Sequence, residues 1–256
     1  MDAPQRERQT ARPVNLLLLD PAELAADATC TIRDRRAVHV RGVLGAVVGS
    51  RLRAGVVGGG VGSAELLGDD GIAITLRLEL TEPAPVPLPI DLVLAIPRPK
   101  VLSRVIEAAA AFGVARIELT NAWRVDKSYL SSPRLKPAAL ALAARLGAEQ
   151  GATTHLPAIA IHRRLMALLD ARWPGPPAVK LIAHPGAPPI ERVITGAAGP
   201  LALAIGPEGG WIERELETFV ARGWAPVSLG APILRVETAV AAALGQLLVL
   251  RRLAGS

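Results

Sequence analysis

The sequence contains one cysteine and four scattered histidines. Cys30 cannot form an internal disulfide, which fits a reducing compartment, so we expect a cytoplasmic protein. His155 and His162 lie seven residues apart, but no acidic residue is placed to act as a third ligand. The sequence therefore predicts no metal site.

Long hydrophobic runs are also missing. The leucines at 16–19 are followed at once by Asp20 and Pro21, which makes the run too short for the core of a signal peptide. The longest apolar run, 239–250, contains Gly245 and Gln246 and is shorter than the roughly 20 residues that a membrane span needs. We predict no membrane segment and no membrane partner.

Lysine is scarce, so the net charge of +6 comes almost entirely from arginine. A positive net charge favours a polyanionic partner such as RNA. Between residues 33 and 53 there are six arginines and a single acid, Asp34. This local basic patch is predicted to contact RNA phosphates. The candidate contacts there are Arg33, Arg35, Arg36, His39 and Arg41.

A second candidate contact with RNA lies in residues 123–129, where aromatic and basic side chains alternate. Arg124 and Lys127 could bind phosphates while Trp123 stacks on a base. An exposed loop with a packed tryptophan is the alternative interpretation.

Two domains are expected because the pattern of apolar residues changes along the chain, after a polar tail of about a dozen residues. Short apolar runs separated by glycines predict strands at 16–19, 37–43, 51–57, 63–67 and 72–80, hence a small β-barrel over residues 14–82. The glycines at 56–62 favour a hairpin turn over a phosphate loop, because no helix follows them. Four prolines in residues 82–89 exclude a helix or a central strand, so 83–89 is predicted to be a linker.

Alternating strands and helices predict an α/β domain with a parallel sheet over residues 90–253. Ligands of such sheets bind at the carboxyl ends of the strands. The predicted strands are 90–96, 114–119, 179–183, 201–205 and 227–229, and the predicted helices are 101–112, 135–149, 162–169, 212–221 and 238–252.

Two turns that follow predicted strands are the strongest indication of a ligand site in the sequence. The first is Ile205-Gly206-Pro207-Glu208-Gly209-Gly210, whose glycines allow the backbone to approach a ligand closely. It matches neither G-x-G-x-x-G nor a P-loop, and an ordinary tight turn is the alternative. The second, at 229–239, presents Arg235 and Glu237, for which an ion pair beside a helix cap by Thr238 is the alternative.

In this order and spacing the two turns resemble the SPOUT superfamily of RNA methyltransferases, and within it the 16S rRNA uridine-N3 methyltransferase family. The second turn contributes Leu229-Gly230 and Ile233 through Ala239 to the resemblance. Weaker similarities extend it over most of residues 14–253. They comprise Asp34-Arg35-Arg36 with His39-Val40, Phe112-Gly113-Val114, and Glu149-Gln150.

The resemblance implies a PUA-like β-barrel followed by a SPOUT-type α/β domain with a deep trefoil knot, in a homodimer. It implies S-adenosylmethionine as cofactor, and ribosomal RNA of the small subunit as substrate, methylated at N3 of a uridine. The residues that would bind the donor are Ala183, His184, Pro185, Ile205, Gly206, Pro207, Gly209, Gly210, Leu229, Gly230, Ile233, Leu234 and Arg235.

The predicted catalytic residues follow from the chemistry of uracil. N3 holds a proton at neutral pH, so its methylation requires a base and a group that stabilises the developing negative charge. Arg235 is the candidate for charge stabilisation, and Glu237 or Glu208 is the candidate base or the carboxylate that orients it.

Two other functions stay open at this point. Residues 108–112 and 153–155 depart from the family pattern at positions expected to hold RNA, which makes a non-catalytic RNA-binding or ribosome assembly factor one alternative. The other is an unrelated α/β enzyme with a different nucleotide cofactor.

Overall fold

The computed structural model describes residues 15–173, 179–194 and 199–254. Val14, where the predicted barrel begins, and the polar tail before it lie outside these ranges. The chain divides into two compact units. The N-terminal unit comprises the described residues up to Pro85 together with Ala152–Thr154, and the C-terminal unit comprises Val86–Gly151 and the described residues from His155 onward.

The N-terminal unit is built on a five-stranded sheet with the order β1-β3-β4-β5-β2, antiparallel except for the pair β1 and β3. Alternating residues of its long strands, such as Ile74, Leu76 and Leu78, are buried and form the core of the unit. A small barrel is compatible with this half-barrel sheet. The strands are β1 Leu17–Leu19, β2 Thr29–Ile32, β3 Arg51–Val56, β4 Val61–Asp69 and β5 Ile74–Glu82.

The apolar run at 37–43 was predicted to be a strand, and this prediction is wrong, because the segment belongs to helix α1, Arg35–Gly42. Asp34 caps the helix by accepting a hydrogen bond from the backbone N–H of Arg36. Ala37 and Val40, three residues apart, are buried, whereas Val38 is exposed. The helical period therefore decides which side chains reach the core. Strand β2, which contains the buried Cys30, was not predicted.

The glycines at 56–62 form the hairpin turn that was predicted, between β3 and β4. Thr154 holds this turn, since its hydroxyl donates to the carbonyl of Gly59 and its own carbonyl accepts from the N–H of Gly58. A Cβ at Gly55 would lie 2.7 Å from a methyl carbon of Thr154. One of the residues that depart from the family pattern thus has a structural role in the N-terminal unit.

The C-terminal unit contains a six-stranded sheet, parallel throughout, with the order β11-β9-β10-β6-β7-β8. Its strands are β6 Leu88–Ala95, β7 Val114–Thr120, β8 Ala158–His162, β9 Val179–Ala183, β10 Leu201–Ile205 and β11 Ala225–Val227. Its helices are α2 Pro99–Ala111, α3 Pro137–Gln150, α4 Leu165–Arg172, α5 Ile190–Val193, α6 Glu213–Ala221 and α7 Val236–Ala254.

The predicted parallel α/β sheet is confirmed, with three local corrections. The helix predicted to begin at His162 begins at Leu165, and His162 instead ends the edge strand β8. This strand was not predicted because it is too exposed to show a buried apolar pattern. Pro89, assigned to the linker, lies in β6 at a point where the pairing with β7 is irregular, and such irregularities tolerate proline. Strand β11 begins and ends two residues earlier than predicted. In the described ranges, no helix combines the length and the apolar character required to cross a bilayer.

Candidate functional site

Three neighbouring parallel strands, β10, β9 and β11, end along one edge of the sheet. The loops that leave them enclose a cavity of about 360 Å³. Parallel sheets bind ligands at this edge, so the cavity is the candidate site. Its lining comprises Arg124, Ala183, His184, Pro185, Ile205 through Trp211, Ser228, Leu229, Gly230, Pro232, Ile233, Leu234, Val236 and Ala239.

The first glycine turn forms one wall of the cavity. The N–H of Gly210 donates to the carbonyl of Pro207 at 2.7 Å, and Gly210 has φ +71°, a conformation that favours glycine. A Cβ at Gly209 would lie 3.0 Å from Cδ of Arg124, and a Cβ at Gly206 would lie 3.2 Å from the backbone nitrogen of Trp211. The backbone conformation thus favours glycine at Gly210, and close packing leaves little room for a side chain at Gly206 and Gly209.

Glu215, in the first turn of α6, links this glycine turn to the loop after β7. Its side chain is 7% exposed, and its two oxygens accept the backbone N–H groups of Trp123 at 2.8 Å and of Ile212 at 3.0 Å. A carboxylate at the N-terminus of a helix is also favoured by the helix dipole. The buried charge thus fixes two loops of the site.

Arg124 was predicted to contact RNA, and the structure places it on the wall of the cavity, with its guanidinium donating to the carbonyl of Gly209. Lys127 is exposed at the start of a 3-10 turn, Lys127–Ser131, and does not line the cavity.

The second turn forms the opposite wall. Gly230 has φ +132°, and its N–H donates to the hydroxyl of Ser228 at 3.2 Å. The side-chain amide of Gln246 in α7 donates to the carbonyl of Leu229 at 3.0 Å. Sequence reasoning singled out neither Ser228 nor Gln246 as part of the site. Ser228 directly precedes a predicted residue, whereas the contact of Gln246 depends on how α7 packs.

The predicted donor-binding residues from Ala183 to Leu234 all line this one cavity, whereas Arg235 does not. Trp211, Pro232, Val236 and Ala239 also line it and were not predicted as binding residues. Trp211 directly follows the first glycine turn, and the other three lie within the second turn at 229–239. Their closeness to these motifs was the only feature of the sequence that could have identified them.

The three candidate catalytic residues occupy different positions. Glu208 lines the cavity, and its carboxylate accepts the backbone N–H of Arg98 at 2.9 Å. Arg235 is exposed, between two residues that line the cavity, and its side chain has no partner among the described residues. Glu237 is half-buried in the first turn of α7 and does not line the cavity.

The cavity has the size and chemistry of a small-molecule site. Such sites measure about 300–1,000 Å³ and combine apolar walls with a few polar groups. Here Ile205 and Leu234 supply apolar surface and the glycine turns supply backbone. The indole N–H of Trp211 is buried with no hydrogen-bond partner among the described residues. These groups suit a ligand with a flat apolar part and polar substituents.

Within the basic patch of the N-terminal unit, Arg36 is bound by other residues of the same unit. The side chain is 6% exposed, and its five N–H groups donate to Glu23, Asp34 and the carbonyl of Leu18. It therefore has a structural role, because the fold brings Glu23 to it and Asp34 lies two residues away. Its prediction as an RNA contact stays a prediction. Hydrogen bonds from Arg36 lower the pKa of Glu23.

The other members of the patch vary in their partners. Arg41 pairs with Asp69, with its Nε 2.9 Å from either carboxylate oxygen. Arg33 and Arg35 are exposed, and His39 is half-buried on α1. The RNA-contact prediction for these four residues stays a prediction.

In the part of the chain that the structure describes, no group of three or more histidines, cysteines or acids could hold a metal ion. His162 instead contacts the buried Glu118 at 2.7 Å, and Arg172 contacts the other carboxylate oxygen at 2.9 Å.

The sequence is similar to known RNA methyltransferases. Residues 84–248 match the family model of the RNA methyltransferase domain. Ribosomal RNA small subunit methyltransferase E of Treponema pallidum is 29% identical over 251 residues, which cover 90% of this chain and 89% of that protein.

Solved structures that share the fold include two methyltransferases. The ribosomal RNA small subunit methyltransferase E from Neisseria gonorrhoeae, bound to S-adenosyl methionine, is 24% identical with a TM-score of 0.76, covering 92% of this chain and 97% of that chain. A methyltransferase from Legionella pneumophila in complex with the same cofactor is 24% identical with a TM-score of 0.76, covering 92% of this chain and 98% of that one.

Proposed function

The chain belongs to the RNA methyltransferase family, and from that membership we propose that it transfers a methyl group from S-adenosylmethionine to N3 of a uridine in 16S ribosomal RNA. The observation that carries the proposal is the single cavity that both glycine turns line at the carboxyl ends of three adjacent strands. The methyltransferase of the small ribosomal subunit in Treponema pallidum, similar along nearly its whole length, supports ribosomal RNA as the substrate.

The cavity suits S-adenosylmethionine, which supplies an electrophilic methyl group on a sulfonium when bound. The walls at Ile205 and Leu234 would hold the adenine ring between apolar groups, and the backbone of Gly206, Gly209 and Gly230 would hold polar substituents. The unpartnered indole N–H of Trp211 is one more donor for such a ligand. Similar proteins of known structure bind this cofactor.

The chemistry at the acceptor requires removal of the N3 proton and stabilisation of negative charge on the uracil carbonyls. We assign the second role to Arg235, whose exposed guanidinium adjoins the cavity lining at Leu234 and Val236. Glu208, on the cavity wall, and Glu237, two residues beyond Arg235, are the candidate bases.

We propose the following architecture for the chain. Residues 14–82 act as a PUA-like RNA-docking domain, 83–89 as a linker, and 90–253 as a SPOUT-type catalytic domain with a deep trefoil knot in a homodimer. In the sheet, β10 lies between β9 and β6, both of which precede it in the sequence, and such an insertion is compatible with a chain that threads through an earlier loop. Light scattering during size-exclusion chromatography tests the dimer, for which a monomer mass is the contradicting result.

Donor binding is tested by calorimetry of the purified protein with S-adenosylhomocysteine, NAD and ATP. We expect binding of S-adenosylhomocysteine alone. Binding of NAD or ATP instead would indicate a different α/β enzyme and would overturn the proposal.

The methylated position is tested by mass spectrometry of 16S ribosomal RNA from a strain that lacks the gene. Loss of 3-methyluridine is expected, with recovery when the wild-type gene is restored. Donor binding without methyl transfer to any RNA would indicate the non-catalytic RNA-binding factor instead.

The role of Arg235 is tested by Arg235→Ala, which should keep S-adenosylhomocysteine affinity but lower kcat by about 100-fold, the scale of losing one charge-stabilising group. Arg252→Ala, at an exposed arginine near the end of α7, is the matched control and should keep wild-type turnover. Wild-type turnover in Arg235→Ala would remove this residue from the mechanism.

A further inference from the structure

Trp123 differs from the other three tryptophans of the chain in its exposure. Its side chain is 79% exposed, whereas Trp211 and Trp224 are 5% and 2% exposed. Trp173 packs edge-on against Trp224, with 5.3 Å between ring centroids. A large aromatic ring in water forgoes the free energy that burial would provide, so an unburied tryptophan beside a functional site suggests a partner.

The loop that carries Trp123 is held in place at the candidate site. The backbone N–H of Trp123 donates to the buried Glu215, and the next residue, Arg124, donates to the carbonyl of Gly209 in the cavity wall. The loop is thus attached to the site through the backbone of Trp123 and the side chain of Arg124, while the described residues leave the indole ring exposed.

The strand order places this loop beside the donor cavity. Trp123 follows β7, Arg98 follows β6, and the glycine turn follows β10, three adjacent parallel strands in the order β10-β6-β7. The backbone N–H of Arg98 donates to Glu208 of the cavity lining. The carboxyl ends of β6 and β7 therefore form a surface directly next to the cavity.

The charges around the indole favour a nucleic acid. Arg98 follows β6, Lys100 lies in the first turn of α2, and Arg124 and Lys127 follow β7; all four are exposed. An exposed aromatic ring among cations is the combination that binds single-stranded nucleic acid, since bases stack on the ring and phosphates meet the cations. A protein partner would instead favour an apolar surround, because the cores of protein interfaces are depleted in charge.

We propose that Trp123 stacks on the unpaired base that is presented to the donor cavity. This inference rests on the proposed function and names the residue that recognises its acceptor. N3 of uridine lies on the Watson–Crick edge, so the base must be unpaired before it can be methylated. An unpaired base has lost stacking against its neighbours, and the indole face replaces that contact.

The experiment compares Trp123→Ala and Trp123→Phe with Val220→Ala, the last at an exposed apolar residue of α6 that is 48% exposed. Trp123→Ala is expected to lose roughly 5- to 150-fold in kcat/KM for ribosomal RNA, the scale of one base stacked on an aromatic ring. Trp123→Phe keeps a ring and should retain most of this activity, and Val220→Ala should match the wild type.

S-adenosylhomocysteine affinity and the melting temperature should stay unchanged in all three variants, because the contact of Trp123 with Glu215 uses only the backbone. Stacking is overturned by wild-type kcat/KM in Trp123→Ala, by equal losses in Trp123→Phe and Trp123→Ala, or by a parallel loss of S-adenosylhomocysteine affinity.

Tryptophan fluorescence separates this inference from the proposed function. A single-stranded RNA that contains uridine should quench the emission of the wild type, and Trp123→Phe should lack that part of the quenching. Quenching that depends on Trp123, without methyl transfer by the wild type, would leave stacking in place and overturn the proposed function. Methyl transfer by the wild type, with equal quenching in the wild type and in Trp123→Phe, would leave the proposed function in place and overturn stacking.

Discussion

The N-terminal and C-terminal units each bury a charged side chain at a connection between elements, and the partners of the two charges differ. Arg36 of the N-terminal unit is 6% exposed and donates to two carboxylates and a carbonyl. Glu215 of the C-terminal unit is 7% exposed and accepts from two backbone N–H groups. The first charge is therefore neutralised by opposite charges, and the second by main-chain dipoles.

This difference separates a stabilising role from a positioning role. Arg36 joins the acids of two segments to α1 inside one sheet unit, so its removal should lower the free energy of unfolding. Glu215 joins two loops that adjoin the cavity, so its removal should change the geometry of the site as well as stability.

The largest effect is expected for Arg36→Met, which removes one partner of a largely buried ion cluster. We expect the free energy of unfolding of the N-terminal unit to fall by about 3 kcal/mol, because the remaining carboxylates lose their counter-charge. Hydrogen exchange by mass spectrometry should show lost protection in residues 15–82. Arg53→Met, at an exposed arginine of β3, is the control and should change stability by less than about 0.5 kcal/mol. An equal loss of protection in the C-terminal unit would contradict a stabilising role confined to the N-terminal unit.

A smaller loss of stability, about 2 kcal/mol, is expected for Glu215→Ala, which leaves two backbone N–H groups without an acceptor. Methyl transfer should fall more than tenfold, since the loop of Trp123 is no longer attached to α6. Glu217→Ala, at an exposed acid of the same helix, is the control for charge. If calorimetry and turnover stay at the wild-type level in Glu215→Ala, the positioning role is refuted.

The smallest effect concerns acid pH. In the folded protein, hydrogen bonds from Arg36 lower the pKa of Glu23 below 4.5, the ordinary value for a glutamate. The unfolded chain then binds more protons between the two pKa values, so the stability from Glu23 is present above pH 4.5 and is lost as pH falls through the folded pKa. Urea unfolding between about pH 5 and pH 3 should show this loss in the wild type. Arg36→Met should show a smaller slope, and equal slopes would exclude the contribution of Glu23.

The sequence sufficed for two strands of the parallel sheet. The strands at 179–183 and 201–205 were predicted with the bounds that the structure has. Strand β10 is buried along its whole length and has the continuous apolar run that is typical of a strand covered on both faces. The segment at 37–43 was predicted wrongly because the helical and strand periods both fit a few apolar residues. The exposed edge strand β8 had no buried face for its pattern to reveal.

The same limit applies to the site. The glycine turns were predictable because their conformations demand particular residues, as at Gly210 and Gly230. The contacts of Gln246 with Leu229, and of Glu215 with Trp123, join residues that are distant in sequence. The ion pair of Arg36 with Glu23 was not predicted for the same reason, since only the fold brings Glu23 to it.

The pairing of β10 with β6 has a consequence for biosynthesis. Strand β6 is synthesised more than one hundred residues before its neighbour β10, whereas β6 and β7 can associate as soon as α2 has formed. Closing so long a loop is slow compared with local pairing. A nascent chain on the ribosome should therefore hold an incomplete sheet until late in translation, and it gains its cavity only after β10 and β11 have emerged. Newly made protein thus acquires the ability to bind its ligand as one of its final folding events.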